Sequence, residues 1–345
     1  MAAPIVLCDT VGMTNEQWLA CRMHGPKGNI PYTVGGSDVA AIFGVSPWIT
    51  PLELWMVKKG KIKTPPKANE AQLRMGHLLE PIAAQLYAEK TGNTVIVDTN
   101  LYQHADHAYA LANFDRRFIR KTDGEPGILE CKSTSYHKAA DWAKDAYPLY
   151  YEFQLRFYLS VADVQIGDFS ALWGNNPETD LATPGLVRDK AKEDMIFEKL
   201  DYWIWSLVND KPPTMDTIAP KLAMESLAKI YGASIPSLPT VEFPKLYEPE
   251  LRKILALQAQ KEEYKKEIKK IDEEVEARGV RFAELMKNHE HGVLETTTDN
   301  ILIDFVSKQS VRTDTKKLKK DYPTVYADVV RTSESRKLEF SVQAK

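Results

Sequence analysis

The most constraining stretch of the chain is YALANFDRRFIRKTDGEPGILECK, residues 109–132. Apolar and polar positions alternate on either side of a polar TDGE turn at 122–125, so the pattern predicts two strands joined as a hairpin. Asp115 falls on the first predicted strand. Glu130 and Lys132 fall on the second, two residues apart, which sends both side chains from one face. Cys131 between them points to the opposite face and reads as a small core residue, not a nucleophile.

Two carboxylates and an ammonium on one sheet surface admit two readings. One is a cross-strand ion pair facing solvent, which is common and contributes little. The other is a metal site. With a third carboxylate from the upstream helix, Glu80, the group forms a hard-oxygen donor set suited to Mg²⁺ or Mn²⁺. A lysine beside such a set either handles an attacking water or stabilises developing phosphorane charge. Glu-x-Lys alone is weak, since Glu263/Lys265 and Glu267/Lys269 repeat it on a long predicted helix. Residues two apart do not share a face there.

The rest of the chain frames the hairpin. A Thr-capped helix covers 14–25 and places Arg22 on the face of Trp18. Gly35 and Gly36 make a tight turn into a short helix with Ser37 as N-cap, and a second helix runs over 51–58. Lys58, Lys59, Lys61, Lys63 and Lys67 form a basic run that reads either as a solvated loop, the commoner case, or as one facing DNA. An amphipathic helix over 70–92 buries Leu79, Ile82, Ala83 and Leu86, with Glu80 at the edge of that stripe. Pro81 predicts a kink or a restart. A helix over 148–162 sets Gln154 and Tyr158 on one face, a strand covers 165–172, and a helix over 192–209 packs Tyr202, Trp203 and Trp205 as core. A proline-rich linker, interrupted by a short helical LAMESLAKIYG at 222–232, is expected at 213–247. A long charged helix then carries Ile254, Leu257, Tyr264, Ile268, Ile271 and Val275 at coiled-coil spacing, interrupted at Gly279. A small α/β appendage follows. The expected division is 1–212, 213–247, 248–288 and 289–345.

Composition narrows the class. The chain has 345 residues, 43% hydrophobic and 27% charged, with net charge −3, so a nucleic-acid surface has to be a local basic patch. The N-terminus lacks a signal-peptide pattern and no apolar run reaches a membrane span, which makes the cytoplasm the expected location. Three unclustered cysteines argue for reduced thiols and against zinc or an iron–sulfur cluster.

The order of these elements resembles the PD-(D/E)xK nuclease superfamily: Asp115, then Glu130-x-Lys132, then a helix bearing Gln154-x-x-x-Tyr158, the glutamine motif of the RecB-like branch. The Trp18-x-x-x-Arg22 helix, GGSDVAAIFGVSPW at 35–48, GHLLEP at 76–81, ANFDR at 112–116 and LECKS at 129–133 resemble, more narrowly, YqaJ-type viral recombinases and their relatives the lambda-type exonucleases. TDTKKLKKDYPTVY at 313–326 resembles the tail of the YqaJ type. Phe114 stands where the usual motif has proline.

The resemblance implies a mixed central sheet flanked by helices. It makes Glu80, Asp115, Glu130 and the backbone carbonyl of Cys131 metal ligands and Lys132 the catalytic lysine, with Gln154 orienting either that lysine or the scissile phosphate and Tyr158 supporting it. Arg22 and Ser37 would hold a 5′-phosphate. The implied activity is Mg²⁺-dependent 5′-to-3′ digestion of double-stranded DNA ends, leaving 3′ single strands for a RecT- or Beta-like annealing protein. A ring-shaped homotrimer is implied too. An endonuclease built on the same core and a catalytically silent scaffold stay open.

Overall fold

The computed structural model describes residues 3–63, 70–310, 313–331 and 341. Two compact units divide the chain, Met1–Gly232 and Ala233–Lys345.

In the first unit β1 (Ile5–Asp9) precedes α1 (Asn15–His24), α2 (Gly36–Ile42), α3 (Pro51–Lys58) and α4 (Glu70–Thr91). Strands β2 (Thr94–Ile96), β3 (Asn100–Gln103), β4 (Leu111–Ala112), β5 (Arg116–Ile119) and β6 (Pro126–Ser133) follow. Next come α5 (Leu149–Ala162), β7 (Ile166–Leu172), β8 (Leu181–Ala182), β9 (Gly185–Val187), α6 (Lys190–Val208) and α7 (Pro220–Tyr231). The main sheet runs β2-β5-β6-β7-β8, with β9 also on β7. β5 and β6 are antiparallel, whereas β6 and β7, joined through α5, are parallel. A separate antiparallel sheet holds β1, β3 and β4.

Strand period decides what β6 buries on each side. Leu129 and Cys131 join Ala83, Ala84 and Tyr87 of α4 in one apolar cluster. Ile128 joins Leu155, Phe157 and Phe169 in the larger cluster on the α5 side. Glu130 and Lys132 share that second side, at the strand end where apolar packing gives way to a cleft.

The hairpin differs from its sequence reading in one respect. The segment 109–119 is not one strand, because β4 pairs with β3 while β5 pairs with β6. The chain changes sheets at 113–115, and Asp115 sits in that crossing, just before β5. The apolar alternation continued across a break that only pairing partners reveal. The turn is as expected: Arg120 donates to the Glu125 carbonyl and Gly124 to that of Arg120, with Gly124 at φ 79°.

Other expectations shift for similar reasons. α4 runs unbroken through Pro81, and its buried residues are Ala83, Ala84 and Tyr87, while Ile82 is exposed. The small alanines let the helix lie close on the sheet, where Ser170 Oγ donates to the Ala83 carbonyl at 2.7 Å. Lys58 is buried against Asp38 at 2.9 Å, and Lys59 and Lys61 both pair with Asp210, so these three are tethered. Lys67 lies outside the described residues. Of the three α6 aromatics expected as core, Trp203 is buried, as is Phe197 on the same helix, while Tyr202 and Trp205 stack on each other, 61% and 48% exposed. The region expected as linker contains α7, which docks on α3 through Ser226 Oγ to Thr50 Oγ1 at 2.6 Å and Lys229 to the buried Glu53 at 3.1 Å.

In the second unit α8 (Glu248–Met286) passes through Gly279, since one glycine costs a helix only about 1 kcal/mol. The apolar positions Leu257, Tyr264, Ile268, Ile271 and Val275 along it are exposed. A hairpin of β10 (His291–Glu295) and β11 (Asn300–Asp304) follows, then α9 (Thr315–Asp321) and α10 (Pro323–Val329). Among the described residues no helix is long and apolar enough to cross a membrane.

His104 is expected to give the first unit a pH dependence. Its Nδ1 accepts from the backbone N–H groups of Asp106 and His107, and its Nε2 faces Ser160 Oγ at 3.1 Å, an arrangement that suits the neutral ring. Burial, then the neighbouring His107, lower its pKa from 6.5. Below that value the unfolded chain binds the proton more readily, so stability is full above pH 6.5 and falls as pH drops beneath it. His104→Gln is expected to flatten that part of the profile, read as urea midpoints of variant and wild type on either side of the transition.

Candidate active site

One cleft of about 450 Å³ is lined by Arg22, Ser37, Glu80, Asp115, Glu130, Lys132, Gln154 and Tyr158. Residues scattered over 137 positions of sequence are thus gathered by five elements. α1 supplies Arg22, α2 Ser37, α4 Glu80, β6 the Glu-x-Lys pair and α5 the glutamine and tyrosine. Asp115 comes from the crossing between the two sheets.

Glu130 is the centre. It is 1% exposed, and its Oε1 accepts from Lys132 Nζ and from Gln154 Nε2, the latter at 2.5 Å. Its Oε2 is buried and, among the described residues, has no hydrogen-bond partner. Burial and then the Asp115 charge push its pKa up, against the opposing pull of the Lys132 ammonium. Burial would lower the pKa of Lys132, but the Glu130 and Asp115 carboxylates outweigh it and hold the lysine above its usual value as an ammonium. The ring of Tyr151 lies 4.8 Å from that Nζ, a cation–π contact one helical turn before Gln154. Gln154 Nε2 also donates to Tyr158 Oη at 3.1 Å, so its amide bridges the glutamate and the tyrosine.

Asp115 Oδ2 accepts from the Cys131 N–H at 2.9 Å. A strand residue's N–H and C=O leave the same edge, so the Cys131 carbonyl faces Asp115 as well, where β5 has ended. Cys131's side chain lies on the opposite, apolar side, and burial pushes its thiol pKa up. Glu80 is held by Arg116 Nη1 at 2.6 Å, and burial followed by the Asp115 charge raises its pKa.

Among the described residues no three acidic, histidine or cysteine side chains stand together as a ready-made metal cage. The reason is local: Arg116, the Cys131 N–H and the Lys132–Gln154 pair each hold one carboxylate apart. The donor chemistry nevertheless suits a hard divalent cation. Three carboxylates line one cleft, those of Glu80 and Glu130 are disfavoured in their charged form by Asp115, and a buried oxygen of Glu130 lacks a partner.

On the same cleft, Arg22 lies over the Trp18 ring at 4.8 Å and donates from Nη2 to Ser37 Oγ at 2.8 Å. The two glycines before Ser37 allow close approach, most strictly at Gly36, since Arg22 is flexible whereas the Tyr158 ring is buried. A Cβ on Gly35 would stand 2.7 Å from Arg22 Nη2, and one on Gly36 2.4 Å from the Tyr158 ring. Gly36→Ala is therefore expected to displace the buried Tyr158 and with it Gln154, destabilising the fold by about 1–3 kcal/mol. Denaturant unfolding of the variant checks this.

Sequence reasoning missed Arg116, Tyr151 and the role of the two glycines. Tyr151 was in reach, because it shares a helix face with Gln154. The Arg116–Glu80 pair spans two elements and left no local signal.

The mixed sheet and the β5–β6 hairpin thus bring Asp115, Glu130, Lys132 and Gln154 to one cleft. Residues 17–165 match the model of the YqaJ-like viral recombinase domain. The chain is 28% identical over 335 residues to the uncharacterized protein YqaJ of Bacillus subtilis (strain 168), covering 96% of each chain. Among solved structures, the alkaline exonuclease LHK-Exo from Laribacter hongkongensis is 19% identical with a TM-score of 0.46, over 57% of this chain and 94% of that one. A phage-related exonuclease from Haemophilus somnus 129PT is 14% identical with a TM-score of 0.39, over 52% and 96%. Overlaps of this extent assign no residue roles.

Proposed function

We propose that this protein is a recombination nuclease, a Mg²⁺-dependent 5′-to-3′ exonuclease on linear double-stranded DNA. Its 3′ single-stranded product suits a RecT- or Beta-like annealing protein, and a homotrimeric ring is the assembly the family resemblance favours. The observation that carries the reading is Glu130, buried with one oxygen shared by Lys132 and Gln154 and the other without a partner, in a cleft with two more carboxylates.

Glu80, Asp115, Glu130 and the Cys131 carbonyl would hold the cation. Bound there, Mg²⁺ or Mn²⁺ supplies Lewis acidity and lowers the pKa of a coordinated water. Lys132, an ammonium in its pairing with Glu130, donates hydrogen bonds to the phosphate oxygens as charge develops. Gln154, braced by Tyr158, keeps Glu130 in place. Arg22 and Ser37, already hydrogen-bonded to each other, offer a guanidinium and a hydroxyl to a terminal phosphate.

The test is digestion of end-labelled linear duplex with Mg²⁺, with covalently closed circles in parallel. Progressive loss from 5′-phosphorylated ends, slower on dephosphorylated ends, is expected. Efficient cutting of the circle would make the enzyme an endonuclease, and equal rates on both kinds of end would remove Arg22 and Ser37 from the site.

A further inference from the structure

Trp48 is 56% exposed, although it lies in a loop between two packed helices. A ring that size facing water is normally buried or used. The loop is pinned. The N–H groups of Val45 and Ser46 both donate to the Ala40 carbonyl, Trp48 N–H faces Ser46 Oγ at 3.3 Å, and Phe43 stacks on Phe153 of α5 at 4.4 Å. The indole is therefore held in place while one part of it stays open.

Its neighbours lead to the chemistry. Trp48 meets Tyr150 edge-on at 5.0 Å and lies 6.3 Å from Tyr151, and those tyrosine rings are 4.4 Å apart. Tyr151 carries the Lys132 ammonium on its face at 4.8 Å. An aromatic row thus runs from solvent to the lysine in the cleft, outside the carboxylate set and the Arg22–Ser37 pair.

Resting on the nuclease reading, the geometry points to Trp48 as a stacking platform for an unpaired nucleobase of the strand whose phosphate lies against Lys132. A base inside a duplex has both faces covered by its neighbours, whereas a terminal or frayed base has one free. Stacking accepts any base, because every base presents a π-face. The same strand offers a phosphate to Lys132 and a base to the row, a pairing of chemistries that an unmodified protein partner lacks. The platform would favour frayed ends over duplex interior.

The experiment uses the full chain in EDTA, where nothing is cut, and forked duplexes with 2-aminopurine at the terminal unpaired position. Wild type is expected to quench the probe. Trp48→Ala should lose the quench and bind the fork about tenfold more weakly, while Trp48→Phe retains most of both. Circular dichroism checks that each variant is folded, and if the alanine variant fails to fold the phenylalanine variant and the wild-type quench carry the test. Equal quench and affinity in Trp48→Ala and wild type would overturn the proposal. A wild type that cuts linear DNA with Mg²⁺ yet quenches no terminal probe also defeats it. One that quenches but leaves DNA intact with Mg²⁺ defeats the nuclease reading alone.

Discussion

Lys132→Ala is expected to lower Mg²⁺-dependent digestion of linear duplex by about 10²–10³-fold, the size of effect seen when one donor to developing charge is removed. The lysine sits on the α5 side of β6, with its Nζ fixed by Glu130 and the Tyr151 ring. Few rotamers are open to it, so its charge is positioned before substrate arrives. Stability should fall too. Taking the ammonium away leaves Glu130, buried at 1% exposure, without its counter-charge, and breaking such a pair costs about 3–5 kcal/mol. Adding Glu130→Gln should recover much of that loss without restoring activity. Digestion rates and urea midpoints of the single and double variants separate the two effects. Wild type and variants digesting equally poorly would instead favour a binding or scaffold protein.

Mg²⁺ should raise the unfolding temperature of the wild-type chain. Asp115 disfavours ionisation of both Glu80 and Glu130, so the folded cleft holds unrelieved negative charge that the unfolded chain spreads through solvent. A cation that binds only the folded state adds about 2.7 kcal/mol at a hundred times its dissociation constant. For a unit of this size that is about 5–10 °C. Asp115→Asn should abolish the shift, and Arg22→Ala, on the far wall, should keep it. Calorimetric scans with and without Mg²⁺ read the result directly. An equal shift in Asp115→Asn would place the cation elsewhere.

Much of the helical framework was legible because its signals are local. Thr14 caps α1 with the capping box from Gln17, Thr50 caps α3 ahead of Pro51, and Gly92 closes α4 at φ 72°. The i, i+4 spacing of Gln154 and Tyr158 survived as a hydrogen bond between them. Burial was less legible: Ile82, Tyr202 and Trp205 are apolar yet exposed, because a neighbour's position decides which part of an apolar stripe is covered.

By itself the sequence determined the β5–β6 turn, the shared face of Glu130 and Lys132, and the helix that brings Gln154 and Tyr158, since each follows from the period of a single element. The sheet change at Asp115, the Arg116 tether on Glu80 and the unpartnered Glu130 oxygen were decided by tertiary structure alone. Strand pairing and burial depend on residues far apart in the chain, and the energy of a charge depends on which of those residues fold around it.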